Sequence, residues 1–312
     1  MEKVFRNIAL LLCLSAVAAF AACGTGGEGR SAVDGNSPIY DREGFPIVLP
    51  EQINTIITIG PSNAEVLVAL GFGDAIVQTD AYAANVPGIR PGISSLDILA
   101  PDLELIIDLA PDVVFVTGMT RVEGDDEPLS QVTAAGIAVI YMPSSASIAD
   151  IKEDIRFMAD VMGAQSVGED IIADMSAEID RIREIGERIA ERRTVYFELS
   201  PAPHMVSFGR GTFLHEMIEL VGATNVFADQ EGWTGVADEV ILERNPDVIL
   251  TSVHFLDDPV GEIMSRPGWD VVTAVQSGDV FVINPDTSNR PSHNIVRALG
   301  EIAEAVYPNE FQ

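Results

Sequence analysis

Histidine, cysteine and carboxylate side chains are the groups in this chain that could carry catalysis or bind a metal. No two of the four histidines (His204, His215, His254 and His293) have the H-x-x-x-H spacing that places two ligands on one helix face. His254 lies shortly before Asp257 and Asp258, which suggests acid–base chemistry, but a polar loop after a strand explains the pattern more simply. G-x-S-x-G and H-E-x-x-H motifs are also missing. The pattern argues against a site for an unchelated metal ion, and it favours a protein that is not an enzyme.

Cys23 is the one cysteine that an exported form of this chain would keep. Lys3 and Arg6 precede an apolar run at 8–22, which at about fifteen residues is short for a membrane span and typical of a signal peptide. The segment 20–23, Phe-Ala-Ala-Cys, resembles the bacterial lipobox, whose cysteine is lipidated. We therefore expect a signal peptide at 1–22, and a lipid on Cys23 followed by a flexible tether at 23–52. An ordinary signal peptide with a bystander cysteine is the alternative.

The charge balance is strongly acidic. The chain has 18 basic and 48 acidic residues and a formal net charge of −30, and such a surface repels nucleic acid. Lys152 is the only lysine after the predicted signal peptide. Adaptation to high salt and a codon preference for arginine explain this composition equally well, so both remain open.

Short apolar runs alternate with helical patterns along the chain. The strand-like runs are 55–59, 113–116, 138–141, 195–197, 248–250 and 280–283, and helical stretches include 64–70 and 213–221. Continuous apolar strands that alternate with helices are typical of parallel sheets covered on both faces. The fold class is therefore α/β.

One long helix is predicted in the middle of the chain, over 165–193. Apolar residues recur there at gaps of three and four, at Ile172, Met175, Ile179 and Ile182 among others, which places one apolar stripe along a helix. The helix separates an N-terminal lobe at 53–164 from a C-terminal lobe at 194–312.

The two portions repeat each other. Glu104 stands seven residues before Pro111-Asp112, and Glu239 stands seven residues before Pro246-Asp247. In the same order, Gly60 and Gly71 bracket a helical stretch with Glu65, while Gly211 and Gly222 bracket one with Glu216. Two spacings kept in order predict two lobes of one plan.

With these motifs, the chain resembles the substrate-binding proteins of ABC importers for cobalamin, ferric siderophores and haem. The resemblance covers about 53–308 and is carried by the segments 60–71, 103–114, 209–213, 266–269 and 278–281. It implies two Rossmann-like lobes with parallel sheets, joined by a single long interdomain helix, with the ligand cleft between the lobes. It also implies a monomer that works with an ABC permease dimer and its ATPase subunits, at the outer face of the cytoplasmic membrane.

The resemblance implies a docking role for Glu104 and Glu239. In the family, one glutamate on each lobe enters an arginine pocket of the permease. The simpler alternative is that both carboxylates stabilise their helices through the helix dipole, by about 0.3 to 1 kcal/mol each.

We expect the ligand where strands end and helices begin, facing the other lobe. The candidates are Ser62, Asn63 and Tyr82 in the first lobe and His204, Arg210, Trp233 and Arg290 in the second. The ligand that these residues favour is a ferric siderophore or a cobalamin-type corrinoid, and no cofactor is expected beyond the lipid. Haem is the alternative within the family, and an exported enzyme on a chelatase-like fold is the alternative outside it. Ordinary packing and loop ion pairs also explain each site residue.

Overall fold

The computed structural model describes residues 39–42, 44–121 and 127–311, so the predicted signal peptide and Cys23 lie outside the described residues. The strands are β1 (Ile39–Tyr40), β2 (Pro46–Ile47), β3 (Ile56–Ile59), β4 (Ile76–Asp80), β5 (Ser94–Leu96), β6 (Val113–Thr117), β7 (Ala138–Met142), β8 (Thr194–Glu198), β9 (Val206–Phe208), β10 (Thr224–Asn225), β11 (Trp233–Gly235), β12 (Val248–Thr251) and β13 (Val280–Val282). The helices are α1 (Pro61–Ala69), α2 (Leu103–Leu109), α3 (Ser130–Ala134), α4 (Ile148–Val161), α5 (Gln165–Gly186), α6 (Phe213–Leu220), α7 (Asp238–Arg244), α8 (Pro259–Met264), α9 (Thr273–Ser277), α10 (Pro285–Ser288) and α11 (Ile295–Val306). Among the described residues, no helix has both the length and the apolar character that a membrane span requires.

Each lobe is built on a parallel sheet. The N-terminal lobe has the strand order β5-β4-β3-β6-β7, and the C-terminal lobe has the order β10-β8-β12-β13. The central strands are buried on both faces because they are continuous apolar runs covered by helices. These strands confirm the α/β prediction. A separate antiparallel ribbon of β9 and β11 belongs to the second lobe.

The same helix-to-strand unit occurs in both lobes, as the internal repeat predicts. Helices α2 and α7 each have seven residues, and each is followed by a non-glycine residue with positive φ, Ala110 at 44° and Asn245 at 43°. Residues with a side chain rarely adopt this conformation. Its occurrence at both repeat-related positions confirms that the lobes share one plan.

The repeated Pro-Asp pair has a structural role in each lobe. Asp112 Oδ2 accepts hydrogen bonds from Thr55 N at 2.9 Å and Thr55 Oγ1 at 3.1 Å. Asp247 Oδ2 accepts from Thr194 N and Thr194 Oγ1, both at 2.8 Å. Backbone donation from Asn54 is the main reason that the pKa of Asp112 lies below its ordinary value. Asp112 thus joins the start of β6 to the start of β3, and Asp247 joins the start of β12 to the start of β8.

Helix α5 packs between the lobes along its predicted stripe. Ile172, Met175, Ile179 and Ile182 are buried in one core cluster with residues of both lobes. The helix ends at Gly186 rather than at Arg193, which corrects the predicted boundary. Beyond it, the amides of residues 188 and 189 bond to carbonyls three residues back, at 3.0 and 3.1 Å, so the chain turns.

Gly186 ends the helix where the backbone after α6 lies against it. A Cβ atom at this position would lie 2.2 Å from Leu220 O and 2.8 Å from Gly222 N. We expect Gly186→Ala to lower the free energy of unfolding by about 1–3 kcal/mol, because backbone atoms cannot move aside cheaply. The matched control is Gly300→Ala in α11, where nothing lies within 4 Å of the added carbon. That change should raise stability by about 0.5–1 kcal/mol, and equal effects of the two changes in urea unfolding would contradict the assignment.

The prediction of a flexible tether at 23–52 is wrong for part of the residues that the structure describes there, 39–42 and 44–52. This part folds onto the first lobe. Strands β1 and β2 pair there, and Ile47 is 4% exposed within the main core. Asp41 accepts hydrogen bonds from Phe45 N at 2.8 Å and Tyr141 N at 3.3 Å. Arg42 forms an ion pair of 2.7 Å with Asp154 of α4. Apolar burial and these polar contacts fix the segment.

Candidate functional site

The carboxyl ends of the parallel strands form one edge of each sheet, where α/β folds place their ligands. In the first lobe, β3 enters α1 through Gly60, whose φ of 113° favours glycine. Asp80 ends β4 and is fully buried, and its carboxylate accepts from Gly60 N at 2.9 Å and Tyr82 N at 2.8 Å. Asp80 therefore fixes two neighbouring loops at this edge.

Tyr82 lies at this edge with its side chain in solvent. The residue is 62% exposed, although its backbone is fixed by Asp80. Its carbonyl oxygen accepts a hydrogen bond of 3.0 Å from Arg290 Nη2 in the C-terminal lobe. The predicted site residues Tyr82 and Arg290 therefore meet across the lobe boundary.

Arg290 uses its guanidinium for contacts within the protein. Nη1 donates to Glu65 Oε1 at 2.9 Å, and Nη2 lies 2.6 Å from Asp286 Oδ1 in addition to its contact with Tyr82. The side chain is only 14% exposed. This placement gives Arg290 an interlobe role, and direct contact with a ligand stays a prediction.

The other first-lobe candidates occupy the first turn of α1. Asn63 is 4% exposed, and its Nδ2 donates to Ile59 O at 3.2 Å, so this amide closes the turn. Ser62 beside it is half-buried.

His204, a candidate of the second lobe, is exposed between β8 and β9, and no described contact joins it to Tyr82 or Trp233. Ligand binding by Ser62, Asn63 and His204 stays a prediction.

Trp233 and Arg210 come together on the ribbon of β9 and β11. Trp233 is 57% exposed, and its ring meets that of Phe208 edge-on with centroids 6.2 Å apart. Arg210 continues β9, and its backbone amide donates to Gln230 O at 2.9 Å. Its guanidinium is largely exposed and lies 3.6 Å from Glu231. An exposed ring and an exposed cation thus lie on the same hydrogen-bonded ribbon.

Two exposed apolar residues at the strand ends were missed by the sequence reasoning. Met119 follows β6 and is 57% exposed, and Phe255 follows β12 and is 66% exposed. The ring of Phe255 packs edge-on against His254, with centroids 5.9 Å apart. Counted from the repeated Pro-Asp pairs, Met119 aligns with His254, the neighbour of Phe255, so extending the repeat beyond the strands would have pointed to the same loop in each lobe.

His293 is a half-buried titratable group in the segment that leads from α10 into α11. Its Nδ1 atom is buried and makes no hydrogen bond with the described residues. Burial lowers the pKa of His293, and the nearby Glu65 carboxylate opposes the shift only in part. Within 39–42, 44–121 and 127–311, no group of three His, Cys, Asp or Glu side chains is arranged to hold a metal ion.

Glu104 and Glu239 occupy the second positions of α2 and α7, as the repeat predicts. Both are exposed, and neither carboxylate pairs with another described residue. Asp102 already caps α2 by accepting from Leu105 N at 3.0 Å, so Glu104 is not the cap. Helix N-termini lie at the same sheet edge as the strand carboxyl ends. Each lobe therefore presents one of these exposed carboxylates on the side of its sheet where the parallel strands end.

Comparisons with known proteins agree on one family. The family model described as "Periplasmic binding protein" matches residues 56–287. An uncharacterized ABC transporter substrate-binding lipoprotein of Bacillus subtilis, YvrC, is 28% identical over 88% of this chain and 86% of its own. A cobalamin-binding protein of Halobacterium salinarum is 25% identical over 84% of this chain and 74% of its own.

A solved structure shares the fold. The molybdate-binding protein MolA of Haemophilus influenzae, bound to molybdate, superposes with a TM-score of 0.74 at 22% identity. The match covers 89% of this chain and 93% of MolA. At this identity, the likeness shows the fold alone.

Proposed function

Because the chain belongs to the periplasmic binding protein family, we propose that it captures a metal chelate between its lobes and delivers it to an ABC permease. The preferred ligand is a ferric siderophore or a cobalamin-type corrinoid. The proposal rests on two exposed rings, Tyr82 at 62% after β4 of the first lobe and Trp233 at 57% on the ribbon of the second lobe. Large flat side chains that remain in solvent on a fixed backbone are typical of binding surfaces.

The ligand chemistry follows from what these side chains can contact. Ring faces of Tyr82 and Trp233 suit a macrocycle or catecholate rings, and Met119 and Phe255 are further exposed apolar side chains that follow strands. The cation for an anionic group is Arg210, because its guanidinium is exposed whereas that of Arg290 is occupied by Glu65. A bulky chelate with apolar and anionic parts fits this set.

Delivery requires a place at the membrane and a contact with the permease. We propose that Cys23 carries a lipid that holds the protein at the outer face of the cytoplasmic membrane. The relative YvrC is named a lipoprotein, which supports this anchor. Glu104 and Glu239 are the proposed contacts with the permease dimer, one from each lobe, and the ATPase subunits complete the importer.

Haem and molybdate are the other ligands to compare. Haem offers a flat macrocycle with carboxylates and would use the same rings and Arg210. Molybdate is suggested by the fold match to MolA, but a small oxyanion has no use for exposed Tyr82 and Trp233. An exported enzyme is not proposed, since the relatives reported above are named as binding proteins.

Truncation of the two rings should weaken binding. In Tyr82→Ala/Trp233→Ala, we expect the Kd for the chelate to rise about fivefold or more per ring, because aromatic side chains that a ligand covers each contribute above about 1 kcal/mol. Calorimetric titration with cyanocobalamin, ferrichrome, haemin and molybdate measures this. The control is Val271→Ala, which removes an apolar side chain of 60% exposure away from the strand ends. An unchanged Kd in the double variant would reject this site.

A further inference from the structure

Glu65 of α1 is a buried carboxylate whose partners come from the other lobe. The residue is 6% exposed. Its Oε1 accepts from Arg290 Nη1 at 2.9 Å, while Oε2 accepts from Ser292 Oγ and from Asn294 Nδ2 at 3.0 Å. All three donors belong to the short segment that leads from α10 into α11. A first-lobe helix thus contacts the start of the last helix of the second lobe.

Glu216 of α6 makes the opposite contact. Its Oε2 accepts a hydrogen bond of 2.8 Å from the backbone amide of Ile148. Ile148 is the first residue of α4, and Ser147 and Asp150 form a capping box at the same helix start. A second-lobe helix thus contacts the start of the last helix of the first lobe.

The two contacts are equivalent within the internal repeat. Glu65 follows Gly60 by five residues, and Glu216 follows Gly211 by five residues. Both stand in the first helix of their lobe, and both accept hydrogen bonds at the start of the final helix of the opposite lobe. The repeat therefore relates two interlobe contacts that cross in opposite directions.

From this geometry we propose that Glu65 and Glu216 are positioning residues that act as reciprocal clamps and hold the ligand cleft at one width. The clamps deepen the proposed function, on which their role in ligand capture rests. A lobe movement that opened the cleft would separate Glu65 from its three donors, and the loss of hydrogen bonds to a charged group is unfavourable. Glu65 also sets the Tyr82 edge, because Arg290 bridges Glu65 and the Tyr82 carbonyl.

The clamps complement helix α5 as a restraint. A helix between the lobes limits bending, since bending breaks its backbone hydrogen bonds, but by itself it leaves twisting of the lobes about its ends. Glu65 and Glu216 contact separate segments, 290–294 and 148, so each joins the lobes at a different place. Removing one clamp should therefore loosen the lobes less than removing both.

Distance distributions between spin labels test the clamps without any ligand. The full chain carries Cys13→Ser and Cys23→Ser, with labels at Glu104→Cys and Glu239→Cys, one exposed position in each lobe. Double electron–electron resonance should give a narrow distribution for this background. In Glu65→Ala/Glu216→Ala we expect a distribution about twofold wider or more, with each single variant in between.

Matched variants separate clamping from a general loss of structure. Glu216→Gln should keep the narrow distribution, because its amide oxygen still accepts from Ile148 N. Glu219→Ala should also keep it, since Glu219 stands on the same helix but pairs with Arg192 at 3.2 Å. A background-like width in the double alanine variant overturns the proposal. If that variant does not fold by circular dichroism, background-like widths in both single variants overturn it instead.

The clamps and the proposed function fail in different experiments. Absence of binding to cyanocobalamin, ferrichrome and haemin would reject the chelate-binding function while leaving the label distances unaffected. An unchanged distance distribution would reject the clamps while leaving the affinity of the wild type for cyanocobalamin or ferrichrome intact.

Discussion

Charge reversal at both docking positions, Glu104→Arg/Glu239→Arg, should reduce ligand uptake to background while the Kd for the ligand stays unchanged. Both carboxylates are exposed at equivalent helix starts, and neither has a partner among the described residues. Their replacement by arginine would repel the arginine pockets expected on the permease, and like charges across an interface cost several kcal/mol. Uptake of radiolabelled cyanocobalamin or ferric siderophore, with calorimetry on the purified variant, measures both quantities.

The repeat provides matched controls for this experiment. Asp108 and Glu243 stand one turn further along the same helices, at equivalent positions, and both are exposed. Asp108→Arg/Glu243→Arg makes the same change in net charge away from the helix starts, so uptake should continue. Normal uptake by the Glu104→Arg/Glu239→Arg variant would reject the docking role and leave helix stabilisation as the function of these carboxylates.

Loss of the buried cation in Arg266→Met should lower the free energy of unfolding by about 3–5 kcal/mol, because it leaves a buried carboxylate without its partner. Arg266 donates to Glu198 at 2.6 and 2.9 Å, and their side chains are 5% and 1% exposed. Burial raises the pKa of Glu198, and the guanidinium opposes this rise. Trp269 is fully buried beneath the guanidinium, 4.6 Å from its ring centroid. Urea unfolding measures the loss.

Two further variants make this prediction specific. Arg181→Met removes a surface pair with Glu178 of 2.6 Å and should cost less than about 1 kcal/mol. Glu198→Gln/Arg266→Met removes both charges and should be more stable than Arg266→Met alone, since no unpaired buried charge remains. The single variant Glu198→Gln completes the comparison. If the double variant loses as much free energy of unfolding as Glu198→Gln and Arg266→Met lose together, the pair is not coupled.

The sheets and the connecting helix could be predicted because their signals are local. Each central strand is a continuous apolar run, and α5 begins at the predicted residue 165 and buries the predicted stripe. Its end at Gly186 could not be predicted, because the cause is the backbone of residues 220–222, which approaches only in the folded chain. The folded portion of the expected tether was missed for the same reason: Arg42 and its partner Asp154 are 112 positions apart.

The candidate site was predictable in part. The repeat located Glu104 and Glu239 at matched helix starts, and it also paired Glu65 with Glu216 without revealing what they contact. The partners of Glu65 lie 225 to 229 positions away, so no sequence spacing indicates them. Arg290 was predicted to contact the ligand, and this stays a prediction; its ion pair with Glu65 across the lobe boundary was not indicated by any sequence spacing.

Capture of a metal chelate by the wild-type protein can be measured by calorimetric titration. We expect ferrichrome or cyanocobalamin to bind with a stoichiometry of about one per chain and a Kd of about 1 μM or lower, which corresponds to about −8 kcal/mol. Silence with both chelates and with haemin, in a protein that unfolds cooperatively, would contradict capture of a metal chelate between the two lobes.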